Sequence, residues 1–192
     1  VAYTYLMYVV APYNDALLLY IAAIGLATYG LLNGLFRLEA ESVADAFVEV
    51  PRRGLAAFLF VVAVLFSTLW LVDILSVWPG GVPASLIVYD VPSTVHVLDL
   101  AIVLPLLVLT GVLLLRGHPI APVLAAILLV KMLTLGLALL AMSAFVALSG
   151  DSVDPAEPVL WTVVVAMSLA WLVVGARRML PVPPPWLRPS VW

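Results

Sequence analysis

Four residues of this chain have types and positions that could do chemistry: Asp73, His96, Asp99 and Lys131. Each is ionisable, and each falls inside or at the edge of an otherwise apolar run. His96 and Asp99 are three residues apart, so on a helix they share a face one turn apart. Lys131 interrupts the run Ile120 to Leu148, which is longer than a soluble core helix needs. A lysine in hydrocarbon costs about 2.5–3.5 kcal/mol on insertion scales, so it is kept for a partner, a wet cavity or a task. Asp73 or Asp99 is the expected partner, within reach of a long side chain that can snorkel. Three chemistries are open. The lysine and an aspartate can form an ion pair that fixes helix register. Asp73, His96 and Asp99 can form a proton or cation site open to one face, with Lys131 as the buried counter-charge. Lys131 can also serve as an amine base or Schiff-base residue.

Other chemistries lack their parts. His96 with Asp99 could hold a metal, but the second imidazole, His118, is expected at the opposite end of the span, so no metal site is assigned. The chain has no cysteine, which removes disulfides, thiol catalysis and thiolate metal sites. No motif for phosphoryl transfer, hydrolysis or dinucleotide binding occurs, so no catalytic residue and no cofactor is assigned. Eight Lys and Arg against eleven Asp and Glu leave too little basic surface for a nucleic-acid backbone.

The elements that must position these residues follow from composition. The 192 residues are 66% hydrophobic and 10% charged, where a soluble domain is about half apolar and a quarter charged. Several runs reach the ~20 residues that cross a hydrocarbon core as a helix, and the short alternating segments of a β-barrel are missing. The expected fold is all-α: one transmembrane domain over 1–192, a polytopic helical bundle with spans at about 14–36, 54–77, 96–115, 120–148 and 156–176. Residues 1–10 are too short to span and read either as an interfacial lead-in or as the end of a further helix.

Within that frame, Asn14 or Asp15 is the expected cap of the first span, and Ala23, Ala27, Gly30 and Gly34 form a small-residue face for close helix packing. Residues 38–50 alternate so as to give an amphipathic helix on the membrane surface, with Ala40, Val43, Ala44 and Phe47 inward and Glu39, Ser42, Asp45 and Glu49 outward. Its acids argue against anionic-lipid binding by that helix, and Arg52 and Arg53 are its expected anchors. Trp70 and Trp171 lie deeper in their spans, where they can line a cavity, face lipid or pack. Pro105 sits inside the third span, where a kink is tolerated if neighbours satisfy the freed carbonyl. Gly117 is the expected residue just past that helix, and Pro119 the first of the next. Asp154-Pro155-Ala156-Glu157 opens the last span with an N-cap acid. A Pro- and Trp-rich tail, 181–192, skims the interface.

Arg37, Arg52, Arg53, Arg116, Arg177, Arg178 and Arg188 all fall on one side of this scheme, and Asp90, Asp151, Asp154 and Glu157 on the other. The positive-inside rule makes the arginine side cytoplasmic, with a cytoplasmic C-terminus, in a multi-pass protein of the cell membrane. The expected partners are the lipid bilayer and, through the small-residue face, another copy or other membrane subunits, with no nucleic acid.

The stretches YTYLMYV, YND, LLLYIA and YGL between Tyr3 and Leu31, HVLDLAIVLPLL at His96 to Leu107, RGHP at Arg116 to Pro119 and LLVK at Leu128 to Lys131 carry a resemblance. The chain resembles an uncharacterised family of prokaryotic multi-pass integral membrane proteins of about six spans. The resemblance implies that the YTYLMYV stretch is the end of a preceding helix. It implies no activity. From the residues themselves the functional expectation is a small transporter-like or channel-like bundle with its polar site at Asp73, His96, Asp99 and Lys131. The rival is a non-catalytic accessory or structural subunit that packs through Ala23, Ala27, Gly30 and Gly34.

Overall fold

The computed structural model describes residues 17–37, 45–47, 49–79, 81–83, 94–150 and 152–178. Among these every regular element is a helix and no strand occurs. Helix α1 is Leu17–Phe36 and α2 is Arg52–Leu75. Helix α3 runs in three parts, Thr94–Leu98, a π-helical turn Asp99–Val103, and Leu104–Leu115; α4 is Ala121–Leu148 and α5 is Ala156–Arg178. Four of these, all but α1, stand out among the described residues as long and apolar enough to cross a membrane. The expected spans at 54–77, 96–115, 120–148 and 156–176 correspond to α2 to α5, and α1 covers the described part of 14–36. Residues 1–10, Asn14, Asp15 and the tail 181–192 lie outside the described residues.

The chain clusters into two compact units. The first holds α1, α2 from Ala56 onward and α3 up to Val112. In it α2 and α3 lie antiparallel, since Gly111 lies against the ring of Phe60 at one end and Asp99 bonds Trp70 toward the other. A Cβ at Gly111 would stand 2.7 Å from Phe60 Cε1, so glycine is what permits the approach. The buried residues of α2 in this unit include Ala56, Leu59, Val62, Ala63 and Phe66, and those of α3 include His96, Leu98, Asp99, Val103, Leu104, Leu107 and Thr110. Most of these repeat at three and four residues, the spacing of one helical stripe. Along α1, residues 28–34 are exposed, with Tyr29 at 74%.

The second unit holds residues 39–55 and everything from Leu113 onward. Helices α4 and α5 pack closely at Gly136, where a Cβ would stand 2.6 Å from Val165 Cγ2. Helix α5 opens as expected, the Ala156 N–H donating to Asp154 Oδ1 at 2.9 Å. The α3–α4 turn closes with His118 N–H donating to Leu113 O at 3.0 Å and Gly117 N–H to Leu114 O at 3.2 Å. That is a Schellman motif, and Gly117 takes the left-handed φ of 69° that it requires. Pro119 stays in the turn instead of opening α4. His118 accepts from Ile120 N–H through Nδ1 and from Ala121 N–H through its carbonyl. Regular helix starts only after these bonds, with Pro122 in its first turn. Of segment 38–50, residues 45–47, 49 and 50 are described: Phe47 and Val50 are buried and Asp45 and Glu49 exposed, while the rest of the interfacial helix lies outside the described residues.

Candidate functional site

Helix α2 carries Trp70 and Asp73, and α3 carries His96 and Asp99, each pair three residues apart. In antiparallel neighbours the two pairs interleave. The Trp70 indole Nε1–H donates to Asp99 Oδ2 at 3.1 Å. His96 Nε2 stands 3.2 Å from Asp73 Oδ2. One proton lies between the two, carried by the imidazole Nε2 or by the carboxyl. The Trp70 and His96 rings lie 4.6 Å apart between centroids, tilted by 60°. This geometry falls within the range of favourable aromatic contacts. One ring and one carboxylate from each helix thus make a four-residue cluster. His96 and Asp99 are buried, and Asp73 and Trp70 half-buried.

The backbone of α3 changes at this cluster. Leu104 N–H bonds to Asp99 O, five residues back, and Pro105 follows at once. A proline ring collides with the carbonyl four residues earlier, here that of Ala101, and a widened turn relieves the collision. The kink expected at Pro105 therefore takes the form of a π turn that begins at Asp99 itself. Beside it a groove of about 490 Å³ opens along α3, lined by Leu100, Leu104, Pro105, Val108, Leu109 and Val112, with Ser67 of α2. Its apolar wall suits an acyl chain better than an ion.

Of the four expected site residues, Asp73, His96 and Asp99 come together in the first unit. Lys131 is half-buried on α4, in the second unit, where Thr134 Oγ1 donates to its backbone carbonyl at 3.2 Å. Trp70 is the member that sequence reasoning left as cavity lining or packing. Its signal was present: Trp70 and Asp73 repeat on α2 the three-residue spacing of His96 and Asp99 on α3. No group of three or more His, Asp or Glu side chains among the described residues is arranged to hold a metal. On the small-residue face, a Cβ at Gly30 or Gly34 would meet no atom within 4 Å among the described residues, and Ala23 and Ala27 are half-exposed.

Serine and threonine hydroxyls in membrane helices commonly bond back to their own helix, and Thr68, Ser143 and Thr162 do so with Val64, Leu139 and Pro158. Thr110 and Ser168 are both 0% exposed, yet their hydroxyls find no partner among the described residues. On α5 the Trp171 indole N–H is likewise buried without one.

Fold and cluster together define a class, a helical-bundle membrane protein with a polar cluster between two of its apolar helices. No family model, curated protein or solved structure matches the chain.

Proposed function

We propose that this chain is a small transporter-like or channel-like membrane bundle whose working group is the Asp73, His96 and Asp99 cluster, and that the group handles protons. The observation that carries the proposal is the 3.2 Å contact of His96 with Asp73 between helices apolar enough to span. An imidazole and a carboxylate inside a span are expensive to keep and are the usual parts of a proton relay. The Trp70 ring lies against the His96 ring, 4.6 Å between centroids. Lys131 is the other ionisable group within a span, on α4 of the second unit, and its part in flux is tested separately. The Arg52, Arg116 and Arg178 ends of the helices face the cytoplasm, as does the C-terminus. The test is proton flux in proteoliposomes with a trapped pH dye under an imposed potential. The wild type is expected to conduct, and Asp99→Asn and Lys131→Met to abolish flux while eluting as folded protein. Flux retained in both variants overturns the proposal.

A second function is favoured by one observation, that no other described residue comes within 4 Å of a Cβ placed at Gly30 or Gly34. A helix face with room for another backbone suits an accessory subunit that associates through α1. Gly30→Leu is then expected to dissolve a complex seen by cross-linking in native membranes, and an unchanged cross-link pattern removes this alternative.

A further inference from the structure

At one end of the second unit three chain segments converge. Arg52 reaches the turn after α3, its Nη1 3.3 Å from where a Cβ of Gly117 would be. Trp171 of α5 lies against Gly54, its Cη2 2.9 Å from the corresponding point there, and Phe47 lies near Gly175 at 3.8 Å. The same end carries Arg52, Arg53, Arg116, Arg177 and Arg178. Asp45 and Glu49 lie on the segment leading into it, both exposed. None of the five guanidinium groups makes a hydrogen bond or ion pair among the described residues. That holds even for Arg52, which is half-buried.

Local helix electrostatics account for some of these arginines and not for others. Arg177 and Arg178 close α5 and Arg116 follows the end of α3, where the negative end of the helix dipole favours cations; Arg116 enters the site only because Arg52 overlies its turn. Arg52 and Arg53 open α2, where the dipole opposes them. Arg52 also leaves its donors unused although it overlies the Schellman turn, so it does not serve as a cap there. A half-buried, five-donor fork with no partner among the described residues, in an unfavourable dipole field, calls for an anion.

We propose that this end is a binding site for the phosphate of anionic phospholipid headgroups, centred on Arg52 and Arg116. Depth selects the partner. The arginines stand where the apolar helices α2, α3 and α5 begin or end, and in a bilayer that is the level of the phosphates. Arginine forks match phosphate oxygens bidentately. An acidic protein surface would have to compete with a lipid leaflet already at that depth. The segment acids at Asp45 and Glu49 do not neutralise the forks, and the site rests on the membrane-spanning build alone, independent of proton handling.

The test compares melting of the full chain in phosphatidylcholine nanodiscs and in discs that also contain phosphatidylglycerol. Wild type is expected to melt several degrees higher with phosphatidylglycerol, and the shift to shrink with added salt. The double variant R52Q/R116Q is expected to lose most of the shift, and R177Q/R178Q to keep it. Equal loss in both pairs means diffuse attraction and overturns the centred site, as does an unchanged shift in R52Q/R116Q. Inorganic phosphate added to phosphatidylcholine discs is expected to leave melting unchanged; a rise equal to that from phosphatidylglycerol makes free phosphate the ligand and overturns the lipid assignment. Should R52Q/R116Q fail to fold, native mass spectrometry of the wild type from mixed micelles decides. Preferential retention of phosphatidylglycerol over phosphatidylcholine supports the site, and equal retention overturns it.

Discussion

Trp70 and Asp99 are joined by a 3.1 Å bond from the indole N–H to the carboxylate, across two antiparallel apolar helices and beneath a π turn that begins at the same aspartate. The bond gives the tryptophan two attachments, since its ring also packs on His96. Trp70→Phe removes the donor and keeps a ring. A charged acceptor would suggest about 1.5–3 kcal/mol for the lost bond. Interhelical bonds within membranes average nearer 0.6 kcal/mol and reach about 1.7, because the unfolded helices also find partners. The smaller figure applies here, so Trp70→Phe is expected to cost about 0.6–1.7 kcal/mol in reversible unfolding from mixed micelles. A change indistinguishable from zero would show that the bond adds no net stability.

Thr110 presents the opposite case, a fully buried hydroxyl with no partner among the described residues. Replacing it by valine removes a polar atom and keeps the branched shape. Thr110→Val is expected to be neutral or to stabilise by up to about 1 kcal/mol, since an unsatisfied buried group is a cost to the fold. A loss above that size, read in the same unfolding assay, would reveal a water or other group bound to the hydroxyl.

Gly136 lets α4 and α5 approach, and a methyl there would come within 2.6 Å of Val165 Cγ2. Gly136→Ala is expected to destabilise by about 1–3 kcal/mol through overpacking. Val165→Ala in the same chain should restore part of that loss, with a coupling of about 0.5–3 kcal/mol in a double-mutant cycle. Simple additivity of the two substitutions would place the close approach elsewhere.

Ser152 is exposed in the link between α4 and α5, on the side opposite the arginines in the proposed orientation. The chain has no cysteine of its own, so Ser152→Cys supplies a single thiol. It is expected to react with an impermeant maleimide added to intact cells from outside. Labelling that appears only after the cells are opened would reverse the orientation.

The helices were legible because their signals are local and redundant. Run length alone marks α4, and the acid, proline and acid at Asp154, Pro155 and Glu157 mark the start of α5 to the residue. Gly117 was legible because a left-handed φ at a helix end has few other occupants. Pro119 misled because His118 spends both its side chain and its carbonyl on the residues after it, and this delays α4. Asp73, His96 and Asp99 were legible because ionisable residues are conspicuous in an apolar chain. Trp70 was not, because tryptophan occurs so widely at membrane interfaces that only register with α3 gives it a role. The unpartnered hydroxyls of Thr110 and Ser168 could not be foreseen, since whether a hydroxyl bonds back to its own helix depends on a rotamer that the sequence does not state.

The shared three-residue spacing of the cluster has a consequence for how the chain enters the bilayer. A helix carrying His96 and Asp99 into lipid by itself would expose both to hydrocarbon, and α2 would bring Asp73 in the same condition. Side by side, the two helices give each of these groups a partner on the other, Trp70 for Asp99 and Asp73 for His96. A slip of one residue along α2 turns its face by about 100° and carries Trp70 and Asp73 away from their partners. The cluster therefore reports register: only one alignment of α2 against α3 brings both the Trp70–Asp99 and the His96–Asp73 contacts together.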